Sequence, residues 1–150
     1  VAMIITVIPE TIRMLLIPFW ASMFDKMNFV LLRMILNLLF GFGVLLFFVT
    51  SDPLIIGLGS ALIGAAFAGG SIAWNLWVTK YAPPGKTGAY MSVHVSLTGI
   101  RGTVGPILGY WTVNQIGAQN IGILSFSMML FATLMLIPEI KHGRNRAAQG

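Results

Sequence analysis

Five long apolar runs divide the chain, each closed by charged or turn-forming residues. Segment A covers about 1–24 and is interrupted by Pro9, Glu10, Arg13 and Pro18. Segment B covers 29–50 and stops at Ser51-Asp52-Pro53. Segment C covers 54–78 and gives way to a polar stretch from Lys80 to Lys86 that contains Pro83, Pro84 and Gly85. Segment D covers 87–112, Asn114 to Asn120 reads as a short polar turn, and segment E covers 121–140. A helix needs about 20 residues to cross the hydrocarbon core, and each run is long enough. Backbone polar groups in lipid are satisfied only in helices or closed barrels, and continuous apolar runs of this length are not barrel strands. The pattern predicts an all-α membrane protein with a transmembrane helical bundle over 1–140 and a basic tail over 141–150.

Composition agrees. Hydrophobic residues make up 57% and charged residues 9%, too few charges to cover a water-soluble surface. Disorder, collagen and a soluble enzyme are excluded. The absence of cysteine removes disulfides, thiolate metal sites and cysteine nucleophiles. The first residue is Val1, so a fragment or processed product is expected, and the first apolar run lacks the basic region and cleavage site of a signal peptide.

A net charge of +5 would suit nucleic acid only if the basic residues formed a patch. They alternate instead. Lys26 and Arg33 flank the A–B loop, Lys80 and Lys86 flank the C–D loop, and Lys141, Arg144 and Arg146 follow segment E. The B–C and D–E loops carry no Lys or Arg. The positive-inside rule then puts the A–B loop, the C–D loop and the C-terminus in the cytoplasm. No nucleic-acid partner is expected; the partner is the lipid bilayer.

Small residues recur every fourth position in segment C, as Ser60, Gly64 and Ala68 and as Ala61, Ala65 and Gly69. Gly105 and Gly109 repeat the spacing around Pro106. Such stripes let helix backbones approach closely in lipid and are read as packing devices.

Ionisable groups inside lipid are costly, and each needs a reason. Glu10 and Arg13 are spaced to pair on one helix face, either as a cavity-lining pair for a polar substrate or proton, or as a self-neutralising pair that lets segment A insert. On segment D, His94, Thr98, Arg101 and Gly105 share a face. Arg101 lies about 21 Å into the helix at 1.5 Å per residue, with no acid on its own segment. A carboxylate from another helix, a substrate anion or carbonyls would stabilise it, and a bridge to Glu10 is the structural alternative. His94 would suit proton coupling or plain hydrogen-bonded packing. Trp74, Asn75 and Trp77 could stack on or bond a polar substrate, Asn75 being the leading candidate of the three, while Trp77 also fits an interfacial belt.

No enzyme signature is present. His94 and His142 are far apart and without a carboxylate at metal-ligand spacing, and no phosphate-cradling glycine loop precedes a lysine. Neither a metal nor a cofactor is expected.

The A–B loop, Ala21-Ser22-Met23-Phe24-Asp25-Lys26-Met27-Asn28 with Arg33 following, resembles a degenerate loop signature of the major facilitator superfamily. Gly105-Pro106-Ile107-Leu108-Gly109 is similar to that family's glycine-proline element, and Trp77 to Pro84 together with Tyr90 to His94 resembles a group of bacterial permeases within it. The sequence departs from the signature where Asn28 and Phe29 follow Met27 and where Tyr110 follows Gly109. The resemblance implies five of the six helices of one bundle, corresponding to helices eight to twelve of a C-terminal half whose N-terminal half is missing. It also implies a bacterial inner-membrane location and a gating-loop role for Asp25, Lys26 and Arg33. The expected function is a secondary permease that moves a small polar solute by alternating access, with H+ or Na+ as candidate coupling ion. A non-transporting subunit or sensor that docks a partner on its polar helix face is the alternative.

Overall fold

A computed structural model of the chain describes residues 2–141. The described residues form five α-helices and a closing 3-10 turn: α1 (Ala2–Lys26), α2 (Phe29–Val49), α3 (Pro53–Tyr81), α4 (Thr87–Ile116), α5 (Ala118–Leu136) and the turn Ile137–Lys141. Most of the expected basic tail, including His142, Arg144 and Arg146, lies outside the described residues.

The helix starts follow from local chemistry. Asn28 Oδ1 accepts the Val30 N–H at 2.9 Å, and Asp52 Oδ1 accepts the Leu54 N–H at 2.8 Å; each satisfies an amide that has no partner within its helix. Pro53 opens α3, where its missing N–H costs nothing.

Three expected boundaries are corrected. Segment C runs on to Tyr81 because the Ala82 N–H still reaches the Val78 carbonyl, and the chain turns away only at Pro83-Pro84. The D–E turn is not a polar loop over 114–120. Helix α4 continues to Ile116, Gly117 alone reverses the chain at φ 81°, and α5 begins at Ala118. Asn114 stays helical, and Asn120 closes the junction by donating to the Ile116 carbonyl at 2.7 Å. Finally, segment E tightens into a 3-10 turn at Ile137, where Pro138 supplies no N–H for another α-helical bond.

Helix α3 packs against α1 and α2, and α2 also packs against α5. The core joins Trp20 and Phe24 of α1, Leu32 and Leu36 of α2, and Ala68 and Ala73 of α3. The small-residue stripe of segment C is the seam. Ser60, Gly64 and Ala68 are all buried. A side chain at Gly59 would run into the Gly43 carbonyl of α2, and one at Gly69 into Leu36 and Trp20. Without hydrophobic drive between helices in lipid, this close backbone approach is what gains dispersion contact.

Helix α4 is different. It has no buried residue and touches α3 and α5 only lightly. Gly105 and Gly109, expected as packing positions around Pro106, face open space. The spacing is there, but no helix of this chain lies against it. Four helices (α1, α2, α3 and α5) are long and apolar enough to cross a membrane; α4 is longer but the least apolar of the five.

Two side chains tie helix ends together. Asn28 Nδ2 donates to the Ile140 carbonyl at 2.7 Å, and Lys80 Nζ donates to the Phe24 carbonyl. The α1–α2 turn, the end of α3 and the terminal 3-10 turn therefore share one end of the bundle, which carries Lys26, Lys80 and Lys141.

Candidate functional site

Near that basic end, three helices converge on one indole. Trp74 of α3 is half-buried, and the Arg101 guanidinium of α4 lies over its ring at 4.4 Å from the centroid. The Arg33 guanidinium of α2 lies over the same ring at 5.4 Å. His94 of α4 packs against Trp74 with ring centroids 4.8 Å apart and against Trp77 at 5.4 Å. Arg101 is exposed and Arg33 half-buried, so these contacts lie toward the exposed-site value of about 0.5–1 kcal/mol rather than the larger value of a desolvated indole.

The placement follows from helical geometry. Arg101 sits deep on α4, but side chains tilt toward a helix's N-terminus, which for α4 is the basic end. Its long stem therefore carries the guanidinium toward that end, where it meets the Trp74 ring. His94 and Arg101 share a face, so the same indole receives both. Thr98, between them on that face, donates to the His94 carbonyl at 2.8 Å.

The arrangement leaves polar valence unused. No hydrogen bond to either guanidinium is present among the described residues, and His94 Nε2 is buried without a partner. The neighbouring charge felt by Arg33 is that of Arg101, of like sign. A cleft of about 270 Å³ opens here, lined by Phe29, Arg33, Ala73, Trp74, Trp77 and His94. His94 and Trp77 also border a second, largely apolar cleft of about 370 Å³ against Tyr90, Val93 and Leu97.

The other candidates lie apart. Glu10 and Arg13 pair with each other at 3.4 Å, as their spacing implies, with Glu10 exposed and Arg13 partly so. The expected alternative of an Arg101–Glu10 bridge is not formed: Glu10 is occupied on α1, and Arg101 is held by Trp74. Asn75 is exposed and donates to the Ser71 carbonyl of its own helix at 2.7 Å, outside the cluster. Asp25 and Lys26 are exposed at the end of α1, and the charge of Asp25 acts on Lys80. Arg33, grouped in the sequence with the loop charges, lies inside α2 and joins the cluster. Its position one turn into segment B was the available signal; which helix it faces was not.

Compared with known proteins, the chain matches the family model described as Major Facilitator Superfamily over residues 1–150. No curated protein and no solved structure matches it.

Proposed function

The chain belongs to the major facilitator superfamily, a family of transporters rather than enzymes, and on that premise we propose that it moves a small polar solute across the membrane by alternating access. The observation that carries this reading is the Arg33–Trp74–Arg101 stack with His94 beside it. Charged and polar groups gathered between membrane helices are expensive, and they mark substrate and ion pathways. Alternating access rocks one helical bundle against another around a central site. The exposed face of α4, with Gly105 and Gly109 in open space, supports a second bundle as the opposing wall. On this reading His94 is the candidate for carrying a coupled proton, since its Nε2 is buried beside the stack without a hydrogen-bond partner.

The test is Arg101→Lys in the assembled transporter. Lys keeps the charge but loses the planar fork and its stacking. Uptake into vesicles should fall at least tenfold while the protein reaches the membrane at its normal level. Unimpaired uptake by Arg101→Lys would remove the stack from the transport path.

A further inference from the structure

We propose that Arg33 and Arg101, held over the Trp74 indole, form a binding site for a small doubly charged oxyanion, a dicarboxylate or a phosphate. The inference rests on the transporter reading and names its substrate class. Both guanidinium carbons lie over the same indole, at 5.4 Å and 4.4 Å from its centroid, so one ring brings two cations to one place. They repel each other. The carboxylates of the chain are engaged elsewhere: Glu10 with Arg13, Asp52 at the start of α3, Asp25 near Lys80 and Glu139 near Tyr81.

Two like charges this close, in a protein surrounded by lipid, are unfavourable by themselves. A dianion between them turns one repulsion into two attractions. Their contact with the indole is to its ring and not to a hydrogen-bond acceptor, so the N–H donors of both forks remain open. Each fork can then meet a carboxylate or phosphate edge in bidentate fashion. The 270 Å³ cleft, lined by Arg33, Trp74 and His94 and not by Arg101, gives room for a molecule of succinate size against the Arg33 fork. Arg101 reaches the same indole from α4, and the unpartnered Nε2 of His94 offers one further polar contact at the cleft wall. A neutral solute would leave both charges uncompensated.

The experiment titrates succinate, inorganic phosphate and the neutral isostere succinamide into the assembled transporter, purified in a non-ionic detergent free of phospholipid. Intrinsic tryptophan fluorescence and the thermal unfolding midpoint are followed together. Succinate or phosphate should give a saturable change that succinamide does not, and Trp74→Phe should remove most of the optical change while the thermal shift persists. Arg33→Gln and Arg101→Gln should each weaken binding at least tenfold, and Arg101→Lys should recover part of it, which separates a binding role from misfolding. Equal responses to succinamide, no response to either anion, or full binding by both Gln variants would overturn the proposal. A lipid headgroup is the other source of the same chemistry: if the free anions do nothing while phosphatidylglycerol, but not phosphatidylcholine, gives the Arg-dependent shift, the site is a lipid site and the substrate assignment fails. Because binding is read without flux, continued uptake of a neutral solute with no anion binding overturns this inference alone. Anion binding without any vesicle uptake of labelled succinate or phosphate overturns the transport reading and leaves the site standing.

Discussion

Gly64 of α3 lies directly against the backbone of α1 at Pro9, with the Pro9 Cα 2.7 Å from where a Cβ at position 64 would sit. The nearest atom is the Pro9 carbonyl oxygen, which is fixed backbone and cannot rotate away. This close helix contact is thus made by a residue without a side chain against one without an amide hydrogen.

Gly64→Ala should therefore force α1 and α3 apart and destabilise the protein by about 1–3 kcal/mol, the usual range for overpacking. Gly105→Ala, at a position with nothing within 4 Å, should be neutral or slightly stabilising in the isolated chain. Unfolding in mixed micelles of the two variants, side by side, checks the contrast. Equal destabilisation would mean that α4 is packed where the structure leaves it open.

The ion pair on α1 gives a second expectation. Glu10→Gln and Arg13→Gln should be coupled, with the double variant less destabilised than the sum of the singles by about 0.5 kcal/mol or more. Glu10→Gln and Arg101→Gln share no partner and should add within about 0.3–0.5 kcal/mol. A double-mutant cycle on unfolding free energies decides, and strong coupling between Glu10 and Arg101 would restore the bridge that the structure does not form.

Within α3, transport should distinguish two adjacent residues. Trp74→Ala removes the surface shared by Arg33, Arg101 and His94 and should lower uptake at least tenfold, while Trp74→Phe retains a weaker ring face and keeps part of it. Asn75→Ala should stay within about twofold of the parent, because its amide bonds only the preceding turn. Initial uptake rates at matched membrane levels, on a logarithmic scale where about 1.4 kcal/mol is tenfold, make the comparison.

Topology can be read with single cysteines, since the chain has none. Asp52→Cys and Gln119→Cys should react with an impermeant thiol reagent added to intact cells, and Lys86→Cys should not. The expectation rests on the Lys- and Arg-free ends at Asp52 and Gln119 and on the clustering of Lys26, Lys80 and Lys141 at the other. Labelling at Lys86→Cys without labelling at Asp52→Cys would invert the orientation.

The helices were legible because each apolar run is long, and the starts of α2 and α3 carry their own chemistry at Asn28 and Asp52; α4 and α5 start without a side-chain cap. Their ends were less so. Asn114 and Gln115 look like loop residues by polarity, yet a helix end in an interfacial setting tolerates them, and only the positive φ of Gly117 stops α4. The seam at Ser60, Gly64 and Ala68 was visible as a repeat of small residues. The same repeat at Gly105 and Gly109 was equally visible and packs against nothing, because spacing states what a helix can accept and not what is beside it. The site was half legible. Arg101 and His94 share a face by their separation alone, but that Arg33 would come from α2 to the same indole depends on how three helices are arranged, which no periodicity within one of them encodes.

The bonds from Asn28 to the Ile140 carbonyl and from Lys80 to the Phe24 carbonyl close like rivets around four helices, and neither passes through α4. That helix is joined to the rest by the short linker after Tyr81, by Gly117, by light contact with α5 and by the contacts of Arg101 and His94 with Trp74 and Trp77, like a bolt set beside a housing. If α4 were the part that moves in the proposed transport cycle, Arg101 would leave Trp74 while Arg33 stayed with the housing, and a ligand gripped by both would be let go by parting the two jaws, without disturbing the riveted frame.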